Sequence, residues 1–130
     1  MKLTTGNLHS LFVGLIALED GETLKLTGDV RLKIAINRNL IEPYAAAYER
    51  ARNRVAADLM KANRALPDKE RRSQNEIEVD LADVDVKMRE KEEDVEKIKT
   101  LLKSELRLED NLKITGAILA QIMPILDGVE

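Results

Sequence analysis

Between Val30 and Ala62 one side of the chain is marked every three or four residues without a break, by Val30, Ile34, Asn37, Ile41, Tyr44, Tyr48, Ala51, Val55, Leu59 and Ala62. A stripe of that period is buried only by an α-helix lying on another element, so it excludes a sheet-based design for the middle of the chain. Pro43 falls inside it, where a proline removes one hydrogen bond and clashes with the preceding turn at a cost of about 3 kcal/mol. The stripe keeps its phase across Pro43. That predicts a kinked helix, or two nearly collinear helices with Asn39 and Glu42 forming the capping box of the second. Beyond the proline, alanines at 45, 46, 47, 51, 56, 57, 62 and 65 allow a close partner helix, and Leu66-Pro67-Asp68 ends the run.

The partner is legible downstream. Ile77, Leu81, Val84, Met88, Val95, Ile98 and Leu102 follow a heptad spacing, with Lys91 in the one slot where an apolar residue is expected. Glu76, Glu78, Asp80, Asp83, Asp85 and the run from Glu90 to Glu96 make its outer face acidic. Residues 1–72 carry 13 basic and 9 acidic side chains (+4), and residues 73–130 carry 8 and 15 (-7). An antiparallel hairpin would therefore set opposite charges along its seam. Exposed pairs contribute roughly 0 to 1 kcal/mol each, so charge selects the pairing and apolar burial stabilises it.

The ends of the chain supply a head for this hairpin. Leu8, Leu11, Phe12, Leu15, Ile16 and Leu18 predict a first helix capped by Thr4 or Thr5 and stopped at Gly21. Gly14 within it costs roughly 1 kcal/mol relative to alanine and marks a close approach by another helix. Alternation from Gly21 to Gly28, and again through Leu106, Leu108, Leu112 and Ile114, predicts two short strands paired as a ribbon. Asp29 or Thr27 can cap the central helix, and Thr115 caps a short apolar helix, Ala117 to Met123, whose Ile118, Leu119, Ile122 and Ile125 would dock on the first. The expected fold is mainly α: a long antiparallel helical hairpin, residues 29–66 and 76–103, about 40 Å long at ~1.5 Å per residue. It carries a small head, residues 1–28 and 104–130, of two short helices and a two-stranded β-ribbon. The length of 130 residues suits a single domain.

Composition removes several chemistries. There is no cysteine and a single histidine, His9, so neither a thiolate nor a multi-histidine metal site can be built, and no metal or cofactor is expected. Ser10 adjoins His9 but points about 100° away around the helix, which gives no triad. The Asp80, Asp83 and Asp85 cluster reads as a solvated helix face, and the glycines match no phosphate-binding fingerprint. Aromatic residues are 2% of the chain and the net charge is -3, which disfavours nucleic acid as a partner. The basic run from Arg50 to Arg72 instead complements the acidic helix. Leu3 to Leu18 is about the minimum length for a span but carries Asn7, His9, Ser10 and two glycines, so no membrane partner is expected and a cytoplasmic location is.

Polar residues in the stripe need partners. Asn37 and Arg38, with Tyr44 and Tyr48 one turn apart and Arg52 one turn further, are the candidate binding residues at the hairpin base. The alternative for them is structural: a buried Asn bonded to the ribbon, or a tyrosine bonded across the hairpin. No catalytic residues are indicated, and an enzyme is not expected.

Lys2-Leu3-Thr4, the segment from Asn37-Arg38-Asn39 through Pro43-Tyr44 to Arg52, and Leu112-Lys113-Ile114 with Ile118-Leu119 and Pro124-Ile125-Leu126 together resemble a family of small phage and prophage proteins of unknown function. The resemblance implies a phage origin and action inside an infected bacterium. The resulting expectation is a non-enzymatic, homo-oligomeric inhibitor or sequestering protein directed at a bacterial defence component or its nucleotide signal. The other expectation is a structural accessory of virion or tail assembly.

Overall fold

The computed structural model describes residues 1–128, and the fold is mainly α. Strand β1 (Lys2–Thr4) leads into helix α1 (Thr5–Glu19), followed by the long helix α2 (Gly28–Arg64) and by helix α3 (Gln74–Glu90). Strands β2 (Glu92–Asp94) and β3 (Leu101–Leu102), helix α4 (Gly116–Ile122) and strand β4 (Leu126–Asp127) complete the order. Local sequence fixes the helix starts. The side chains of Thr4, Thr27 and Thr115 accept from the amides of Asn7, Val30 and Ile118, while Ser73 and Glu76 form a reciprocal capping box.

Helix α2 runs through Pro43 as one element. The box expected from Asn39 and Glu42 is therefore absent; Glu42 pairs with Arg38 instead. Helices α2 and α3 form the antiparallel hairpin, joined at Arg72, whose backbone N–H and carbonyl are held by the Asn63 side chain of α2 while its guanidinium reaches Asp80 and Glu76 of α3. Helix α1 lies antiparallel along the first two-thirds of α2, with Arg38 near Glu19 at one end and Glu49 bonded to His9 at the other.

The core is in the head. Leu8, Leu11, Leu15 and Leu18 of α1 meet Val30, Ile34 and Ile41 of α2, and Val95, Leu101, Leu106, Ile122 and Ile125 close over them, all buried. Each such side chain stabilises the fold by roughly 1.5–3 kcal/mol. Helix α4 docks on α1 as expected, and Gly14 is the reason it can. A Cβ at that position would stand 2.8 Å from Ile122 Cγ2 and 2.9 Å from Gln121 Cβ.

Three expectations fail. The heptad helix does not reach Leu102: α3 stops at Glu90, and the chain turns extended so that Glu92–Asp94 pair antiparallel with Lys2–Thr4. Val95 and Ile98 then enter the head core or pack against it, joined by Leu101, which the heptad did not include, while the expected Leu102 is exposed, so the spacing serves a loop and a strand, not a hairpin seam. The segment Gly21–Thr27 forms a turn and coil, with no strand, and Gly28 opens α2. Leu106 to Ile114 is no strand either. The two segments do meet, but through one side chain: the Lys25 N–H donates to Asn111 Oδ1 (2.6 Å), and Asn111 Nδ2 donates to the Lys25 carbonyl (3.1 Å) and the Leu106 carbonyl (2.8 Å). One buried amide replaces the ladder of a ribbon. In place of that ribbon there are two small sheets, β1 with β2 antiparallel and β3 with β4 parallel.

Candidate functional site

The five candidate residues all lie on α2, and the structure divides them. Asn37 is fully buried, its Nδ2 donating to the Lys99 carbonyl and its Oδ1 accepting from the Lys99 N–H, both at 2.7 Å. It holds the segment after β2 against α2, aided by the left-handed turn at Lys97 (φ 67°). Arg38 stands between Glu19 and Glu42, each 3.7 Å away, and ties α1 to α2. Neither faces the hairpin base.

Tyr44, Tyr48 and Arg52 do face it. Tyr48 is buried at the junction of α1, α2 and α3. Its hydroxyl donates to Asp85 and accepts from Arg89 (3.2 Å), and the Arg89 guanidinium also sits 5.7 Å from the ring centre. His9 of α1 leans on the same ring at 4.9 Å between centroids. The buttressing explains Gly6: a Cβ there would lie 3.1 Å from the Cβ and Nε of Arg89. Burial and the hydrogen bond to the Asp85 carboxylate push the Tyr48 hydroxyl above its ordinary value, with Arg89 pulling the other way.

That shift has a sign. A tyrosine whose folded pKa is raised stabilises the fold fully below the unfolded value, near 10, and loses that contribution as pH climbs through the folded one. Tyr48→Phe is expected to cost about 1–2 kcal/mol at pH 7 by leaving Asp85 and Arg89 without the hydroxyl. It should also flatten the fall in stability above pH 10. Urea melts at pH 7 and 10.5 check both; an unchanged pH slope contradicts the assignment.

Two clefts flank Tyr48. One, about 300 Å³, is lined by Thr5, Tyr44, Ala47, Ala51, Met88 and the β2 side, Lys91 and Glu93. Thr5 holds its edge, donating both its N–H and its hydroxyl to the Lys91 carbonyl at 2.7 and 3.0 Å. The other, about 360 Å³, is polar: His9, Glu49, Arg52, Asn53 and Arg89. Its polar groups are engaged, His9 Nε2 lying 3.0 Å from Glu49 Oε1, Arg52 3.7 Å from Asp85 and Arg89 donating to the Tyr48 hydroxyl. Asp85 is thus half-buried and engaged, unlike the solvated residue expected, whereas Asp83 is exposed.

The sequence did not single out Ala47, Ala51, Met88, Lys91 or Glu93. The alanines read as a surface for a close helix, yet they floor a hollow, because α3 leaves α2 at Glu90. Among the described residues there is no group of three or more His, Cys, Asp or Glu able to hold a metal ion, and no helix is long and apolar enough to cross a membrane. No family model, curated protein or solved structure matches this chain.

Proposed function

We propose that this protein acts by binding, as a homodimer whose two hairpins pack into a four-helix bundle. The observation that carries the reading is how little the hairpin buries. Ile77 is the one buried residue of α3, and α2 buries nothing beyond Tyr48. Val55, Leu59, Leu81 and Val84 stay half-exposed, with Met60, Val79 and Val86 open. Two helices alone leave such stripes uncovered, and bundles cover them with two more.

Charge favours a second copy as the cover. The outer part of α2 presents Arg50, Lys61 and Arg64, while α3 presents Glu78 and Asp83; Arg54 and Asp80 are already paired within the chain, with Asp58 and Arg72. A two-fold axis that sets α2 of one chain on α3 of its partner is self-complementary, and its like-helix alternative is repulsive. The wider expectation, an inhibitor or sequestering protein directed at a bacterial defence component or its nucleotide signal, draws its support from the phage-family resemblance.

Sedimentation tests the dimer. At tens of micromolar the expected mass is that of two chains and not 14.6 kDa. Leu81→Asp is expected to raise the dissociation constant more than tenfold while leaving the head folded, since Leu81 lies outside the core cluster. A monomer at that concentration, or a dimer indifferent to Leu81→Asp, contradicts the proposal.

A further inference from the structure

We infer that the cleft between Tyr44, Tyr48 and Met88 is a binding site for an organic cation with an apolar body. Its volume, about 300 Å³, is at the small end of ligand sites and too small for a helix or strand. The floor is apolar and uncrowded: Ala47 and Ala51 one turn apart, and the adaptable thioether of Met88. The walls are aromatic, and tyrosine faces attract cations; Tyr48 already carries the Arg89 guanidinium, which leaves Tyr44 to meet a ligand. The Tyr44 hydroxyl makes no hydrogen bond among the described residues, so it is available to a ligand, whereas Tyr48 is locked by Asp85 and Arg89.

The mouth selects the charge. Glu93 lines it as the one carboxylate beside the one cation Lys91, since strand alternation turns Glu92 and Asp94 to the other face, Asp94 onto the N-terminal ammonium at 3.1 Å. Glu93 is paired with Lys91 at 3.2 Å, but the Lys91 side chain is 74% exposed and can swing away when another cation arrives. An anionic ligand would meet the Glu93 carboxylate and a neutral one would forgo it. The chemistry suits an arylalkylammonium or an arginine or lysine side chain. The inference does not depend on dimerisation, because every lining residue belongs to one chain.

Methyl-labelled methionine offers the test, since Met88 lines the cleft and Met1, Met60 and Met123 do not. Titration with 2-phenylethylammonium is expected to move the Met88 methyl signal saturably and leave the other three. The neutral isostere 2-phenylethanol should bind at least threefold more weakly, and 3-phenylpropionate at least tenfold. Glu93→Gln should shrink the gap between cation and alcohol. Ala51→Leu, at an exposed position that the head core does not use, should abolish binding of all three. Acetyl-arginine methylamide provides the comparison of source: tighter binding than phenylethylammonium assigns the site to a peptide side chain, and weaker binding assigns it to a small molecule. No saturable shift at Met88 with any probe, a ranking indifferent to charge, or binding that survives Ala51→Leu overturns the inference.

Discussion

Asn37→Leu is expected to lower the melting temperature by about 10–15 °C. The substitution keeps the branched skeleton of the side chain, with bulkier methyl ends, but leaves the Lys99 N–H and carbonyl facing an apolar wall, each at roughly 1–3 kcal/mol. A combined loss near 3 kcal/mol corresponds to that shift in a domain of this size. The damage is local in origin. The pair of 2.7 Å bonds is what fixes residues 97–99 on α2, and with them the entry of Val95 and Leu101 into the core. Hydrogen exchange at the Lys99 amide should rise in the variant before the protection of α1 falls. A melting change under 3 °C would mean that Asn37 is better placed as a free binding residue than as this clamp.

Gly14→Leu should be comparably severe, at about 3 kcal/mol, the upper end of the usual range for overpacking. Its Cβ alone would meet Ile122 and Gln121 closer than carbon atoms tolerate, so α4 must lift off α1. Gly14→Ala provides the graded control. Helix propensity alone predicts a gain of roughly 1 kcal/mol, whereas the contacts predict a smaller loss than for leucine. Limited proteolysis between Thr115 and Met123 reads the detachment directly. Stabilisation by Gly14→Ala would show that α4 is not seated as described.

The resemblance between the two positions is instructive about what a sequence can reveal. Gly14 announced itself, because a glycine inside an otherwise regular apolar helix has few explanations other than close approach. Asn37 announced only that it needed partners. Its partner turned out to be a backbone 62 residues away, on a segment whose own spacing argued for helix. Tyr48 lies between these cases: the bond across the hairpin was among the possibilities for a tyrosine on the seam, but Asp85 as acceptor and the brace from Arg89 and His9 follow from where α1 lies. The cleft residues Ala47 and Ala51 gave no signal beyond smallness. Smallness permits either contact or space, and the departure of α3 at Glu90 made it space.

From sequence alone came the helical class, the starts of α1, α2 and α4 among their candidate caps, the passage of the apolar stripe through Pro43 and the docking of the last helix on the first. These are written locally, in 3.6-residue periodicity and in side chains that satisfy the first free amides of a helix. Tertiary structure decided where α3 ends and what residues 91–114 become. Nothing between Glu90 and Leu102 breaks a helix by itself, having neither glycine nor proline. The N-terminal strand offers that stretch a ladder, Asn37 offers it a clamp, and the head core offers Val95, Ile98 and Leu101 deeper burial than a two-helix seam could. Those three competitors are distant in the chain, so their combined advantage over local helix propensity appears only once the fold has gathered them.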